Sequence, residues 1–350
     1  MNEPKNILIV RTDRIGDVVL TLPLAALIKK RFPEASVSFL VREYTKPCVT
    51  NNPYIDNVLV LKEKNGRIML RENIRLLKKY KFDSCVVVFP LFQIALIMLL
   101  SGIKKRIGTG YRWYSFLFNN KIFQHRKYAE SHELEYNVNL LDFLGVNEKV
   151  NKKNVEFGLR PTPENEQKIE QLLLQNKIDR HRPIIIIHPG SGGSAVDLPV
   201  ESFKRLTSLL AHYLPLQIIV SGSDAEKSVC NELIMDNSVK NFAGKLNLGE
   251  FIALINKADL LIANSTGPIH LAAALKKSVV GFYPKITACS AERWGPYTEK
   301  SSVFLPTLDC KNCSREQCER LKCMDSIDMK EVFNNIKEII KSQYNGEIDD

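Results

Sequence analysis

Short apolar runs separated by amphipathic stretches alternate along this chain from one end to the other. Residues 7–10 form an uninterrupted apolar run, and 18–31 follow with helical spacing until Pro33 stops them. VSFLVR (37–42) and NVLVL (57–61) read as strands, ENIRLLKKY (72–80) as an amphipathic helix, and 85–89 as a further strand. β-branched runs without polar alternation mark strands covered on both faces; interleaved with helices, they predict a mainly parallel sheet. The second half repeats the rhythm, with strands at 184–187, 217–220, 260–263 and 278–283. Its helices fall at 200–212, 225–235, 248–256, 268–275 and 329–344. A polar, proline-containing stretch, VNKKNVEFGLRPTPENEQ (150–167), separates the halves and reads as a linker. The predicted class is α/β with two similar parallel-sheet halves and a ligand cleft at the carboxyl ends of both sheets.

One segment needs a decision, CVVVFPLFQIALIMLLSGI (85–103), which is uncharged and about long enough to span a bilayer. Pro90 splits it, and Gly102 with Lys104, Lys105 and Arg106 closes it, so a buried strand, a break and a buried helix are expected. The stretch 111–133 is aromatic and basic without a clean period and reads as a loop-rich region near a site rather than as core. At 350 residues two domains are the default, and the N-terminus MNEPKN lacks a signal-peptide pattern. The net charge of +10 is uneven: residues 1–150 hold 24 Lys/Arg against 14 Asp/Glu, whereas the remainder balances at 25 each. That points the first half towards an anionic partner, or else towards mere solubility. No nucleic-acid module is present, so nucleic acid is not expected as the partner.

Three loops carry candidate chemistry. RTDRIGDVVLTLP (11–23) puts Arg11, Asp13, Arg14, Gly16 and Asp17 where a strand stops and a helix starts, positions that suit either capping or acid–base work. HPGSGGSAVDLPVESF (188–203) follows a strand; Ser191, Gly192, Gly193 and Ser194 form either an anion-cradling loop or a plain Gly/Ser turn. ANSTGPIHLAAAL (263–275) opens a helix with Ser265, Thr266 and Gly267. Its free N–H groups and helix dipole offer a second anion site, with His270 in the first turn as a ligand or as a structural hydrogen bonder. In VSGSDAEKS (220–228), Gly222 ends a strand, and Asp224 or Glu226 either accepts from ribose hydroxyls or caps the helix. Phe242 to Lys245 would wall a base-binding slot. Eight cysteines without a signal peptide suit a reducing compartment. Four of them, Cys310, Cys313, Cys318 and Cys323, form a cluster that reads either as a structural zinc site or as a metal-free loop.

Taken in order, RTDRIGDVVLTLP, HPGSGGSA with the following LP and F, FAGKLNLGEFIALINKADLLIANSTGPIHLAAAL and ERWGPY resemble glycosyltransferase family 9, the ADP-heptose:lipopolysaccharide heptosyltransferases. The resemblance implies a GT-B fold of two Rossmann-like domains with a cleft between them: an acceptor-binding domain over 1–158, a nucleotide-sugar domain over 159–325, and a C-terminal helical segment, 326–350, packing back on the first. It implies an inverting transferase that needs no metal cofactor, takes a nucleotide-diphosphate sugar, and glycosylates a lipopolysaccharide core or other glycolipid. Its place would be cytoplasmic, peripheral on the inner-membrane surface. Residue by residue, it implies Asp17 as general base behind Gly16; Arg11 or Arg14 is then placed either to orient the acceptor or to pair with Asp13. It implies phosphate binding by Ser265, Thr266, Gly267 and His270, and the loop reading adds Ser191–Ser194, Gly222, Asp224, Glu226 and Lys245 on the donor side. Two departures from the family pattern stand out: Val196 replaces a Lys or Arg, and Ser265 replaces an Asp. They leave room for a different sugar, for a GT-B epimerase, or for a nucleotide-sugar-binding protein without transfer activity.

Overall fold

The apolar runs assemble into two six-stranded, wholly parallel sheets. The computed structural model describes residues 3–308 and 313–344. It divides into two compact units: one runs to Arg126 and resumes over Ser131–Arg160, and the other takes Lys127–Glu130 and the described residues from Pro161.

In the first unit β1 (Asn6–Val10), β2 (Ser36–Val41) and β3 (Asn57–Val60) precede a small antiparallel hairpin, β4 (Glu63–Lys64) and β5 (Arg67–Ile68). β6 (Ser84–Val87), β7 (Lys105–Thr109) and β8 (Asn120–Ile122) follow, and the sheet order is β3-β2-β1-β6-β7-β8. Its helices are α1 (Ile15–Val19), α2 (Pro23–Arg31), α3 (Leu70–Tyr80), α4 (Phe92–Leu100) and α5 (Glu133–Val138). The second unit builds β9 (Ile184–His188), β10 (Gln217–Val220), β11 (Val239–Asn241), β12 (Leu260–Asn264), β13 (Ser278–Phe282) and β14 (Ser301–Phe304) in the order β11-β10-β9-β12-β13-β14. Around it lie α6 (Pro163–Gln175), α7 (Val200–Tyr213), α8 (Lys227–Asn231), α9 (Leu248–Lys257), α10 (Gly267–Ala274), α11 (Ala291–Trp294), α12 (Arg315–Arg320) and α13 (Met329–Gln343). Each unit thus sets its first strand in the centre and reverses direction beside it. That reversal is the switch point at which loops diverge and leave room for a ligand.

The stretch 85–103 is β6, a break containing Pro90, and α4, as its pattern requires. Among the described residues no helix is long and apolar enough to cross a membrane. The single helix expected over 18–31 is instead two. Pro23 has no N–H to give to the Val19 carbonyl, so α1 ends there and Leu22 N bonds Val19 O at 3.1 Å. Asn137 Nδ2 takes up the Leu20 carbonyl at 3.1 Å. The helix expected over 225–235 shrinks to α8. The stretch 111–133 is not all loop: it contributes β8, and Tyr114, Leu117 and Phe118 pack into the first unit's core.

In the second unit α13 presents Val332, Ile336 and Ile340 at four-residue spacing to the core shared with α7. Burying such a stripe is worth on the order of 1.5–3 kcal/mol per side chain. Asp328 caps α13 by accepting from Lys330 N at 2.9 Å. Cys318 and Cys323 are buried in that same core, with Cys313 packed against it, while Cys310 lies outside the described residues. Among the described residues no group of three or more His, Cys, Asp or Glu converges as a metal site.

Candidate active site

At the carboxyl end of β1 the chain turns sharply, and the first buried side chain there is Arg11, with its backbone N–H still bonded to Leu40 O. A guanidinium only 3% exposed needs anionic partners, because an unpaired buried charge costs several kcal/mol. Arg11 finds three. Nε donates to Asp13 Oδ1 at 2.7 Å, Nη2 donates to Asp17 Oδ1, and Glu133 Oε1 lies 3.8 Å from Nη1. The ring of Phe89 closes the site 6.0 Å from the guanidinium carbon. Glu133, at the start of α5, is also paired to Arg126. Arg14, exposed, is the N-cap residue of α1, and Gly16 is buried in its first turn.

The two aspartates are therefore not separated by pairing, since one guanidinium holds both. What singles out Asp17 is its proton affinity. Burial lifts the carboxyl most, Arg11 opposes, and the negative charges of Asp13 and Glu133 push it up again, to about 6. α1 is only five residues long, and desolvation outweighs whatever dipole it has. Arg11 shows the mirror image: burial opposes its charge, but Asp17, Asp13 and Glu133 outweigh burial and raise its affinity for its proton. A carboxyl poised near 6 beside a fixed cation is suited to accept a proton near neutral pH.

The second unit carries the Gly/Ser loop after β9 and the Ser-Thr-Gly turn after β12. Asn264, fully buried at the end of β12, ties both together. Its Nδ2 donates to Pro189 O at 2.6 Å and its Oδ1 accepts from Leu198 N at 2.8 Å, so one side chain clamps the loop's entry and exit. Ser194 Oγ adds a third tie, donating to Ser265 O at 2.7 Å. Within the loop Gly192 and Gly193 adopt φ of +57° and +76°, a left-handed region that favours glycine, with open space where a Cβ would lie. The turn leads into α10, with Thr266 as N-cap residue, Pro268 in the first turn and His270 buried behind it. First-turn N–H groups and the dipole of this eight-residue helix suit an anion.

Beside the Gly/Ser loop, on the side of β10, sits Glu226. Burial pushes its carboxyl up, but hydrogen bonds from the Ser223 N–H and hydroxyl and from the Gly192 N–H hold it below the usual range. Ser223 N donates to it at 2.7 Å and Ser223 Oγ at 2.8 Å. His188 is buried and pushed down to about 4 by desolvation, which Glu226 only partly opposes, so its ring is neutral. Its Nδ1 and the Ser221 hydroxyl are hydrogen-bonded at 3.0 Å. A Cβ on Gly190 would stand 1.8 Å from Glu226 Oε1, so carboxylate and loop fit only with glycine there. Gly190→Ala should therefore cost about 1–3 kcal/mol and weaken nucleotide binding. Adding Glu226→Ala should recover part of the stability but not the binding, as thermal unfolding and nucleotide titration of the two variants would show.

The remaining donor-side residues are more dispersed. Gly222 is closely packed, with a Cβ there 2.7 Å from Cys230 Sγ, while Asp224 is exposed and paired with Lys227 at 2.5 Å. Lys245 is exposed and lies over Phe242, its Nζ 5.6 Å from the ring centroid. Phe242 itself is buried in the core and cannot wall a slot, which leaves Gly244 and Lys245 as the exposed part of that segment. Val196 faces the apolar core, so no cation enters the loop from that position. A cation arrives from α12 instead: Arg315 Nη2 donates to Gly193 O at 3.1 Å and to Ala195 O at 2.5 Å. Asn264, His188, Arg315 and Glu133 were not among the expected site residues. Their only advance signal is a polar residue closing an apolar run, and that applies to the first two alone.

Comparison with known proteins agrees with this layout. The profile of the family described as Glycosyltransferase family 9 (heptosyltransferase) matches residues 70–324. A Haemophilus influenzae protein described as a glycosyltransferase is 28% identical over 315 residues, covering 86% of this chain and 89% of its own. The structure of a family 9 glycosyltransferase from Veillonella parvula superposes with a TM-score of 0.83 at 18% identity, covering 97% of this chain and 98% of the other. That of Escherichia coli ADP-heptose lps heptosyltransferase II gives 0.75 at 18% identity, covering 97% and 99%. These structures share the GT-B fold with its two Rossmann-like units, and with the family profile matched over most of its length this chain belongs to glycosyltransferase family 9, the heptosyltransferases.

Proposed function

We propose that the protein transfers a heptose, or a closely related sugar, from a nucleoside-diphosphate sugar to a hydroxyl of a lipopolysaccharide-core acceptor at the inner-membrane surface. ADP-heptose is the first donor to test, since a structural neighbour is an ADP-heptose enzyme. The acceptor engages the first domain near Arg11, Arg14 and Gly16, and the donor engages the second through the loops at 191–194 and 265–267 with His270.

The step is a single displacement. Asp17 removes the proton from the acceptor hydroxyl as that oxygen bonds to the anomeric carbon. The bond from that carbon to the diphosphate oxygen breaks on the opposite face, so the configuration inverts and the electron pair leaves with the nucleoside diphosphate. The first-turn N–H groups of α10, with the Thr266 and Ser265 hydroxyls, offset the charge that develops there. The observation that carries this reading is the Asp17 carboxyl, ion-paired with buried Arg11 and lifted to about 6.

Thermal-shift titration with ADP-, UDP- and GDP-sugars tests the donor. Saturation to about 100 times Kd adds about 2.7 kcal/mol, so the matching nucleotide should raise Tm clearly above the other two. Product analysis with the matching sugar then tests transfer. Binding without transfer or donor hydrolysis would favour a nucleotide-sugar-binding protein, and a rearranged sugar would favour an epimerase.

A further inference from the structure

The first unit carries a solvent-exposed aromatic cluster that neither the site nor the core uses. Trp113, Phe116 and Phe123 are 74%, 66% and 62% exposed, and Phe92 and Tyr111 join them. Phe92 stacks on Trp113 with centroids 5.0 Å apart, and Tyr111 meets Phe123 edge-on at 5.4 Å. Scattered apolar residues on a surface are ordinary, whereas two exposed ring pairs, Phe92 with Trp113 and Tyr111 with Phe123, with exposed Phe116 on the same segment as Trp113 and Phe123, are not.

The segment that displays them is well anchored. Tyr114 Oη donates to Pro90 O at 2.6 Å, and Ser115 Oγ donates to Thr109 O at 2.7 Å. Arg106 Nε donates to Leu117 O at 2.8 Å and its Nη1 to Ile103 O at 2.6 Å, which fixes the turn carrying Phe116 against the end of the segment that follows α4. At that end Leu99 and Leu100 are exposed as well. The aromatics therefore project from a fixed frame and stay exposed among the described residues.

Charge identifies the occupant. Between Asp83 and Glu130 the chain contains seven Lys or Arg residues and no carboxylate. Lys104, Arg112 and Lys121 are exposed among the aromatics. Large aromatics with cations interspersed and acids excluded are the composition of a surface that lies in the headgroup layer of an anionic bilayer. We infer that this face of the first unit, around Trp113, Phe116 and Phe123, docks the enzyme on anionic lipid. The inference deepens the glycolipid-acceptor reading and rests on it for the membrane as partner.

The chain has two tryptophans, so Trp294→Phe leaves Trp113 as the only indole reporter. With vesicles of phosphatidylglycerol and phosphatidylcholine, Trp113 emission should shift to the blue and the protein should co-sediment; with phosphatidylcholine alone both effects should be weak. In the otherwise unmodified chain, Trp113→Ala with Phe116→Ala and Phe123→Ala should weaken vesicle binding by about tenfold or more. Lys104→Gln and Lys121→Gln should each weaken it about fivefold. All of these variants should transfer sugar to a lipid-free acceptor at the parental rate. If Trp113 emission is unchanged while the protein binds vesicles, another face docks and the inference is wrong. It is equally wrong if Trp113 shifts with protein concentration alone, which indicates a second copy, or with lipid-free acceptor oligosaccharide, which indicates a sugar subsite. Vesicle binding through Trp113 by a chain that transfers no sugar would leave this inference standing and remove the transferase reading instead.

Discussion

Replacing Asp17 by Asn should lower sugar transfer by about 10²- to 10⁴-fold, the usual contribution of a positioned general base. Donor binding should stay unchanged, because Asp17 belongs to the first unit and the loops proposed to hold the nucleotide belong to the second. The substitution is nearly isosteric and leaves Asp13 and Glu133 beside the buried guanidinium, so the variant should fold. The pH dependence has a definite sign. Burial raises the carboxyl from 3.8 to about 6 in the folded protein, so folding favours its protonated form. The penalty for holding it ionised is absent below pH 3.8 and complete above about 6. Asp17→Asn removes that penalty at neutral pH and also removes one partner of Arg11. With the two effects opposed, stability at pH 7 should stay within about 1 kcal/mol of the parent. Wild-type transfer should fall on the acid side with a midpoint near pH 6, provided donor saturation is maintained. Wild-type turnover in Asp17→Asn, or no acid limb near that value, would remove Asp17 from the reaction.

The second large effect is expected at Asn264. Asn264→Ala leaves the Pro189 carbonyl and the Leu198 N–H without their side-chain partner in a buried setting. Each such loss costs about 1–3 kcal/mol, so the variant should be about 2–5 kcal/mol less stable, a substantial share of a typical domain's margin. Nucleotide affinity should fall with it, because the Gly/Ser loop loses its clamp at both ends. Asn264→Asp keeps the acceptor for Leu198 N but sets a carboxylate against the Pro189 carbonyl, and it should be no better than alanine at neutral pH. Chemical denaturation and nucleotide titration of both variants check this. A small stability loss with unchanged affinity would show that the loop holds its shape without Asn264.

The central strands were legible because their burial on both faces demands apolar runs: β1, β6, β9, β10, β12 and β13 announce themselves in this way, and β2 does so with one buried serine, Ser38, in its run. The edge strands β8 and β11, NKI and VKN, are short and polar, and β7 begins Lys-Arg; half of such a strand faces solvent, so its pattern dissolves into that of a loop. At the site, glycines and hydroxyls next to strand ends were readable because local geometry requires them. Arg315 was not, since it reaches Ala195 across 120 residues of chain and is an ordinary surface arginine in sequence. Glu133 meets Arg11 only after the first sheet has formed, and nothing near either residue predicts the other. Val196 shows the converse limit: sequence comparison notes a missing cation there, and only the fold shows that the position faces the core.

The repeated strand order has a consequence for biosynthesis. All six strands of the first sheet lie between residues 6 and 122, and all six of the second between 184 and 304. Each central strand, β1 or β9, emerges from the ribosome before every neighbour it will pair with, and waits as an apolar run with two open edges. The first sheet can close while the second is still being synthesised, which keeps two similar sets of parallel strands from competing for the same partners. Refolding the full chain from denaturant offers no such order, so its yield should fall below that of synthesis and improve when the chain is released slowly.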